Sequence, residues 1–440
     1  MRVLGSSIVL ALVVGGALAT AGEPPVRRAS LRALADAFVT DGDLGHARGA
    51  LSDLHASAED LLAALREPPR PVAEPVGGTH TIELEDGAGT KTELIIIAPE
   101  AEKLRARTKP LGVICLLHGL GGSAKGAVPF AERFIAQGDF VCVAPTAQRL
   151  ADSQQTEEDG MPLLLKKRFK NWWAYDEPRS LTLEAIRKAQ ELYWVDPDRI
   201  VLAGVSMGGY GTWNIGLRRP DHFAALVPIA GGISRYGCIS DKDAVSLALL
   251  ENGRQTPVFS AHGTKDPLVP FEPDKEACDH LKDLGGHVTF KALDVGHDPK
   301  ELHKLAEGPL LGELATFADE QRREVSPARV TYVSIDERLD GAWWLRIVER
   351  RPRVRPKIQG EVDRQANRVT VRFEGARRVR VYLDERLLDR TREVEIVANG
   401  AVAWRGKLEP SVESILESWR SRQDPSLVYA ASVDVGPVWR

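Results

Sequence analysis

The chain has 440 residues, of which 43% are apolar and 27% charged, and its formal net charge is −4. That length exceeds what one compact core ordinarily serves, so more than one domain is expected, with the composition of a soluble globular protein. So small a charge on so long a chain gives no ground for a nucleic-acid partner.

Taken in chain order, residues 1–21 read as a signal peptide. Arg2 supplies a short positive region, Ile8 to Leu18 an apolar one, and Ala17-Leu18-Ala19 or Ala19-Thr20-Ala21 the small residues of a cleavage site. A membrane span needs about 20 apolar residues. This run is shorter, so stable membrane insertion is not expected, and no Cys follows it for lipid attachment. The expectation is a secreted or periplasmic chain, with an uncleaved N-terminal anchor as the alternative.

Residues 22–76 form a helical segment and a linker. Leu31, Leu34, Ala35 and Phe38, then Leu51, Leu54, Leu61 and Leu62, recur at helical spacing. These helices either pack on the following domain or mediate association. Pro68, Pro69, Pro71 and Pro75 then make a stiff connection that neither helix nor strand tolerates.

Residues 77–325 alternate strand-like and helix-like runs. Thr79 to Leu84 and Thr92 to Ala98 read as paired antiparallel strands. Val113 to Leu117, Phe140 to Ala144, Ile200 to Ala203, Leu226 to Ile229, Val258 to Ala261 and Thr289 to Leu293 are short apolar runs of the kind found in buried parallel strands. Helical stretches lie between them, notably Ser180 to Tyr193 and Pro299 to Gln321. This alternation predicts an α/β fold, a mostly parallel sheet covered on both faces.

Residues 326–440 predict an antiparallel β domain followed by a helix over Val412 to Ser421. Residues 327 to 407 carry 19 Lys and Arg against 12 Asp and Glu, which is either a solvated sheet face or a surface for a polyanion. Trp343 and Trp344 are adjacent on an expected strand and so face opposite sides, and packing is the favoured reading. Cys115 and Cys142 sit in apolar runs as small core residues. Cys238 and Cys278 lie in more polar sequence and could form one disulfide, although four cysteines allow three pairings. No zinc-type spacing is present.

The chemistry concentrates in four loops that follow strands. The apolar run Arg199 to Ala203 enters Gly204-Val205-Ser206-Met207-Gly208-Gly209, a strand-to-helix turn that would expose Ser206 as nucleophile above a helix N-terminus. His118-Gly119-Leu120-Gly121-Gly122 ends another strand. There the N–H of Leu120, with that of Met207, would form an oxyanion hole, while His118 shapes the loop. A phosphate loop is the competing reading, but its Lys-Ser/Thr ending is absent. Asp266, fixed in a turn by Pro267, would orient an imidazole. His297, behind Gly296, would be the general base; His280, His287 and His303 are its sequence neighbours. The order Ser206, Asp266, His297 is that of α/β-hydrolases.

On these residues, about 90 to 320 resemble the secreted esterase branch of the α/β-hydrolases that includes polyhydroxybutyrate depolymerases and feruloyl or acetylxylan esterases. Val195 to Ile200, Pro220 to Ala225 and His262-Gly263-Thr264-Lys265-Asp266 add to the match. The stretch is also similar to the catalytic domain of prolyl-oligopeptidase-type peptidases. The resemblance implies hydrolysis of small-molecule or polymeric carboxylic esters through an acyl-enzyme, with no metal or organic cofactor. It departs at Asp298-Pro299, where that branch often carries aromatic residues. Trp172, Trp173 and Tyr175 resemble the loop that walls its substrate site, with core packing as the equal alternative. A peptidase on the same machinery and a non-catalytic polymer-binding protein remain as rival functions.

Overall fold

A computed structural model describes residues 24–71, 73–85, 89, 91–135, 139–147, 173, 176–233, 245–298, 308–335 and 340–436. The expected signal segment and Cys238 lie outside them. The chain begins with three helices, α1 (Pro24–Asp41), α2 (Leu44–Asp53) and α3 (Ala58–Arg66). The starts of α2 and α3 follow from their caps. Asp43 accepts the His46 N–H at 2.9 Å, and Ser57 and Asp60 satisfy each other's backbone N–H in a capping box.

Next come β1 (Gly78–Glu85), β2 (Lys91–Ala98), α4 (Ala101–Arg105), β3 (Leu111–Leu117), α5 (Val128–Ile135), β4 (Phe140–Pro145) and α6 (Asp176–Leu192). The series continues through β5 (Val195–Val205), α7 (Met207–Arg218), β6 (Ala225–Ile229), α8 (Val245–Leu250), β7 (Val258–Gly263), α9 (Phe271–Asp283), β8 (Val288–Leu293) and α10 (Pro309–Glu320). The eight strands form one sheet in the order β1-β2-β4-β3-β5-β6-β7-β8. It is parallel from β4 to β8, while β2 runs antiparallel to both β1 and β4. Every residue of β3 and β4 is buried, because helices cover both faces. Val113, Cys115 and Leu117 pack with Leu181, Trp213 and Leu281 on one face. Ile114 and Leu116 pack with Phe134, Phe140 and Leu314 on the other. This is the α/β-hydrolase arrangement that the alternating sequence predicts.

The C-terminal part contains β9 (Arg329–Val333), β10 (Gly341–Ala342), β11 (Leu345–Arg350), β12 (Lys357–Asp363), β13 (Arg368–Glu374), β14 (Ala376–Leu383), β15 (Val394–Ala398), β16 (Ala401–Gly406), α11 (Val412–Arg422) and β17 (Ala431–Val435). These strands make two sheets, β10-β11-β14-β17 and β16-β15-β13-β12-β9, which share one core. The pairings are antiparallel as expected, apart from β13 and β15, which run parallel. The strand positions of Trp343 and Trp344 are corrected. Both lie in the turn between β10 and β11, and both are buried, with their indole N–H groups on Glu324 O and Pro327 O. Much of the arginine surplus is paired internally, as in Arg346–Asp340, Arg368–Glu395 and Arg380–Asp434.

The N-terminal helices do not pack on the hydrolase sheet that follows them. Leu31, Phe38, Leu61 and Leu65 share a core with Ile415, Leu416 and Trp419 of α11, and the Trp419 indole donates to Asp36 at 3.0 Å. The two ends of the chain therefore build one accessory module. It meets the hydrolase sheet at the N-terminal edge of the parallel strands. There Asn252, just before β7, exchanges two hydrogen bonds with Val333, and Arg323 bridges Asp198 at the start of β5 to Asp424. Cys278 sits on the buried side of α9 rather than in a loop, and like Cys115 and Cys142 it is a free thiol.

Candidate active site

At the opposite edge, β5 ends at Val205 and α7 begins at Met207. Ser206 joins them with φ 57° and ψ −116°, a conformation that a side-chain-bearing residue adopts only where its surroundings hold it. Two glycines make the turn possible. A Cβ on Gly204 would lie 2.3 Å from the carbonyl oxygen of Gly208, and one on Gly208 would lie 2.0 Å from that of Leu117. The close packing of β3, β5 and α7 thus requires glycine at both places, and Ser206 is lifted above the strand ends.

His297 follows β8 in the loop over the same edge. Its Nε2 lies 2.8 Å from Ser206 Oγ and its Nδ1 2.5 Å from Asp266 Oδ2. The acid loop after β7 is fixed to the base loop by its backbone: Thr264 N–H donates to Leu293 O and Lys265 N–H to Val295 O. Asp266 Oδ1 accepts the N–H groups of Leu268 and Val269 at 2.9 and 2.8 Å, which leaves Oδ2 for the imidazole. The Asp266 side chain is fully buried, whereas His297 keeps 10% of its side-chain surface. A histidine held this way can take the proton of the serine hydroxyl while the carboxylate supports the charge it gains. His280 lies on α9 and His287 precedes β8, at the far end of that strand from His297; His303 is outside the described residues.

Met207 occupies the first position of α7, where a backbone N–H has no acceptor within its own helix. The loop after β3 comes close to the serine: a Cβ on Gly119 would lie 3.6 Å from Ser206 Cβ. Leu120 follows, half exposed. His118 holds this loop. Its Nε2 accepts the Ala147 N–H at 3.0 Å, so the ring proton is on Nδ1 and donates to Gly119 O at 2.7 Å. Burial keeps this ring's pKa below its ordinary value, in keeping with a neutral structural imidazole.

Trp173 corrects the expectation of a substrate wall. The side chain is fully buried, edge-on to His118, with Nε1 donating to His118 O at 2.9 Å. It braces the loop from behind. Trp172 and Tyr175 lie outside the described residues. Two further residues carry polar structure without a local sequence motif: His262, at the end of β7, and Asp274, on α9. Both are buried and hydrogen-bonded to each other at 3.0 Å. A titratable ring inside the apolar run Val258 to Gly263 was the available signal.

Comparison with known proteins agrees with this architecture. A sequence profile of the phospholipase/carboxylesterase family matches residues 101–307. Acyl-protein thioesterase 1 of Emericella nidulans is 30% identical over 223 residues, spanning 46% of this chain and 90% of that protein. The enzyme of the same name from Gibberella zeae is 35% identical over 112 residues, spanning 25% of this chain and 46% of its own length. Among solved structures, a thermostable esterase aligns with a TM-score of 0.42 at 22% identity, covering 56% of this chain and 63% of that one. The chain belongs to the phospholipase/carboxylesterase family of α/β-hydrolases and is a serine hydrolase of the esterase and thioesterase type.

Proposed function

We propose that the chain is an exported acyl-ester hydrolase in which Ser206 is the nucleophile, His297 the general base and then general acid, and Asp266 the group that orients His297. The observation that carries this reading is the unbroken hydrogen-bond path from Ser206 Oγ through His297 to Asp266. Ser206 Oγ attacks the acyl carbonyl as His297 Nε2 takes its proton. The N–H groups of Met207 and Leu120 receive the negative oxygen, each worth on the order of 10²–10³ in rate. His297 then protonates the departing alcohol or thiol. Water, activated by the same imidazole, releases the acid and restores the serine.

An apolar acyl group fits the surroundings. Leu268, the residue two after Asp266, is 72% exposed, and Leu120, beside the serine, is 45% exposed. Burial of either side chain against an acyl chain would remove it from water. The names of the fungal relatives extend the class from oxygen esters to thioesters. The accessory module joins the far edge of the sheet, so the reading assigns it no part in holding the acyl group.

The test is a substrate panel: p-nitrophenyl acetate and octanoate, an S-octanoyl thioester, acetylated and feruloylated oligosaccharides, and a dipeptide p-nitroanilide. Octanoyl esters and thioesters should be turned over with the highest kcat/KM. Preference for the anilide would replace the esterase reading with the peptidase one. Export predicts a mature chain that starts near residue 20 in the extracytoplasmic fraction, and recovery of the intact N-terminus in the cytoplasm would remove that part.

A further inference from the structure

Behind the Ser206–His297–Asp266 path lies a second buried histidine–carboxylate pair. His262 Nδ1 is 3.0 Å from Asp274 Oδ2, and His262 Nε2 is 3.1 Å from Val269 O. Both partners are acceptors, so both ring nitrogens must carry hydrogen and the ring is an imidazolium. Its Nε2 also lies 3.5 Å from Asp266 Oδ2, the oxygen that faces His297. Asp274 is fully buried and accepts three hydrogen bonds, from His262, from Ser260 Oγ at 2.8 Å and from Trp213 Nε1 at 2.9 Å. Trp213 belongs to α7, the helix that starts behind the nucleophile, and Val269 to the loop whose N–H groups hold Asp266.

We propose that His262 and Asp274 are positioning residues for hydrolysis: the Asp274-held imidazolium of His262 fixes the acid loop and places a positive charge against Asp266. The inference rests on the triad reading given above. Its physical content is electrostatic as well as mechanical. The groups facing His262 are Asp274 and, beside it, the Cys278 thiol from α9, Asp266 from the acid loop, and His297 across Asp266. The edge of Phe271 closes the remaining side. Burial works against a charge on His262, but the hydrogen bond and attraction to Asp274 outweigh it and raise the ring's pKa. A fixed cation there opposes the arrival of a second positive charge on the neighbouring imidazole. Removing that cation should therefore move the acidic range over which the enzyme works. A pair that served packing alone would not influence that range.

The test is the pH profile of kcat/KM for the wild-type enzyme, D274N and H262Q. The carboxamide introduced by D274N keeps the shape of the carboxylate and can donate to Nδ1, which leaves His262 neutral and its Nε2–H on Val269 O. The acid limb should move upward by about half a pH unit or more in D274N and further in H262Q. Fluorophosphonate labelling of Ser206, read by mass spectrometry in each protein, separates the two levels of the argument. Labelling with an unmoved acid limb in both variants overturns the positioning role. Absence of labelling in the wild type instead overturns the triad on which it depends. H262Q leaves a buried carboxylate without its cation and could unfold; D274N, with its melting curve, then decides alone.

Discussion

Each edge of the hydrolase sheet sets a histidine among charged groups, with opposite electrical outcomes. At the C-terminal edge His262 lies between Asp274 and Asp266, and its pKa is raised. At the N-terminal edge His222 sits near Arg219 and Arg422 as well as Asp221, its Nε2 shielded and without a partner among the described residues. Burial pushes its pKa down to about 3. Burial disfavours a charge on both rings; the hydrogen bond and attraction to Asp274 overcome it at His262, and the mixed charges around His222 do not. The comparison also separates roles. One edge has few polar groups, aligned in a single path that ends on an accessible serine. The other has arginine–carboxylate pairs that join a module to its host: Arg323 with Asp198 and Asp424, and Arg422 with Asp221.

Substitutions at one edge should impair chemistry alone, and at the other stability alone. Ser206→Ala should lower kcat on the octanoyl ester by on the order of 10⁴-fold or more while leaving the melting temperature within about a degree or two, and Asp266→Asn should follow closely. A large change in melting temperature would mean that the serine serves structure. The reverse holds for Arg323→Met, which strands Asp198 and Asp424. It should cost about 3–5 kcal/mol in denaturant unfolding while the kcat/KM of the folded fraction stays near that of the wild type. A matching loss of kcat/KM would tie the far edge to the chemistry.

The pH dependence of stability sharpens the contrast of the two histidines. The unfolded chain protonates His222 near pH 6.5, the native chain only near 3. Between those values the unfolded state binds the extra proton, so stability falls with acid by up to about 1.4 kcal/mol per pH unit, and His222→Gln should flatten that slope. Asp221, held near 2 mainly by Arg422 against the cost of burial, extends the loss to lower pH. His262 has the other sign: its contribution is complete below about pH 6.5 and is lost as pH rises through its raised pKa. The smallest effect is expected of Trp173→Phe, which removes one hydrogen bond to His118 O. It should cost about 1–2 kcal/mol and slow kcat several-fold without altering KM.

What the sequence made legible follows the same division. The loops at the C-terminal edge announce themselves because each needs particular residues at fixed places: Gly204 and Gly208 around Ser206, Pro267 after Asp266, Gly296 before His297. Local order was enough to bring Ser206, Asp266 and His297 together. The opposite edge depends on contacts between residues far apart in the chain. Arg66 reaches Asp384, Asp36 meets Trp419, and Asp221 holds Arg422. No local period encodes such pairs, so the union of the N-terminal helices with α11 could not be read in advance. β12 is weakly marked in the sequence, because its inward positions are Ile358, Gly360 and Val362 and the glycine breaks the apolar alternation. Gly360 is needed there, since a Cβ would lie 2.3 Å from the Trp344 ring. The role of His262 is likewise not marked locally, since its partner Asp274 is on a helix whose other face is plainly solvated.

The most direct test of the account is to locate the covalent adduct. Brief exposure to a fluorophosphonate or to an octanoyl ester, with acid quenching and peptide mass spectrometry, should place the phosphonyl or acyl group on Ser206 alone. The adduct should vanish in Ser206→Ala and form far more slowly in His297→Gln. An adduct on any other residue, or one that persists in Ser206→Ala, would contradict the account.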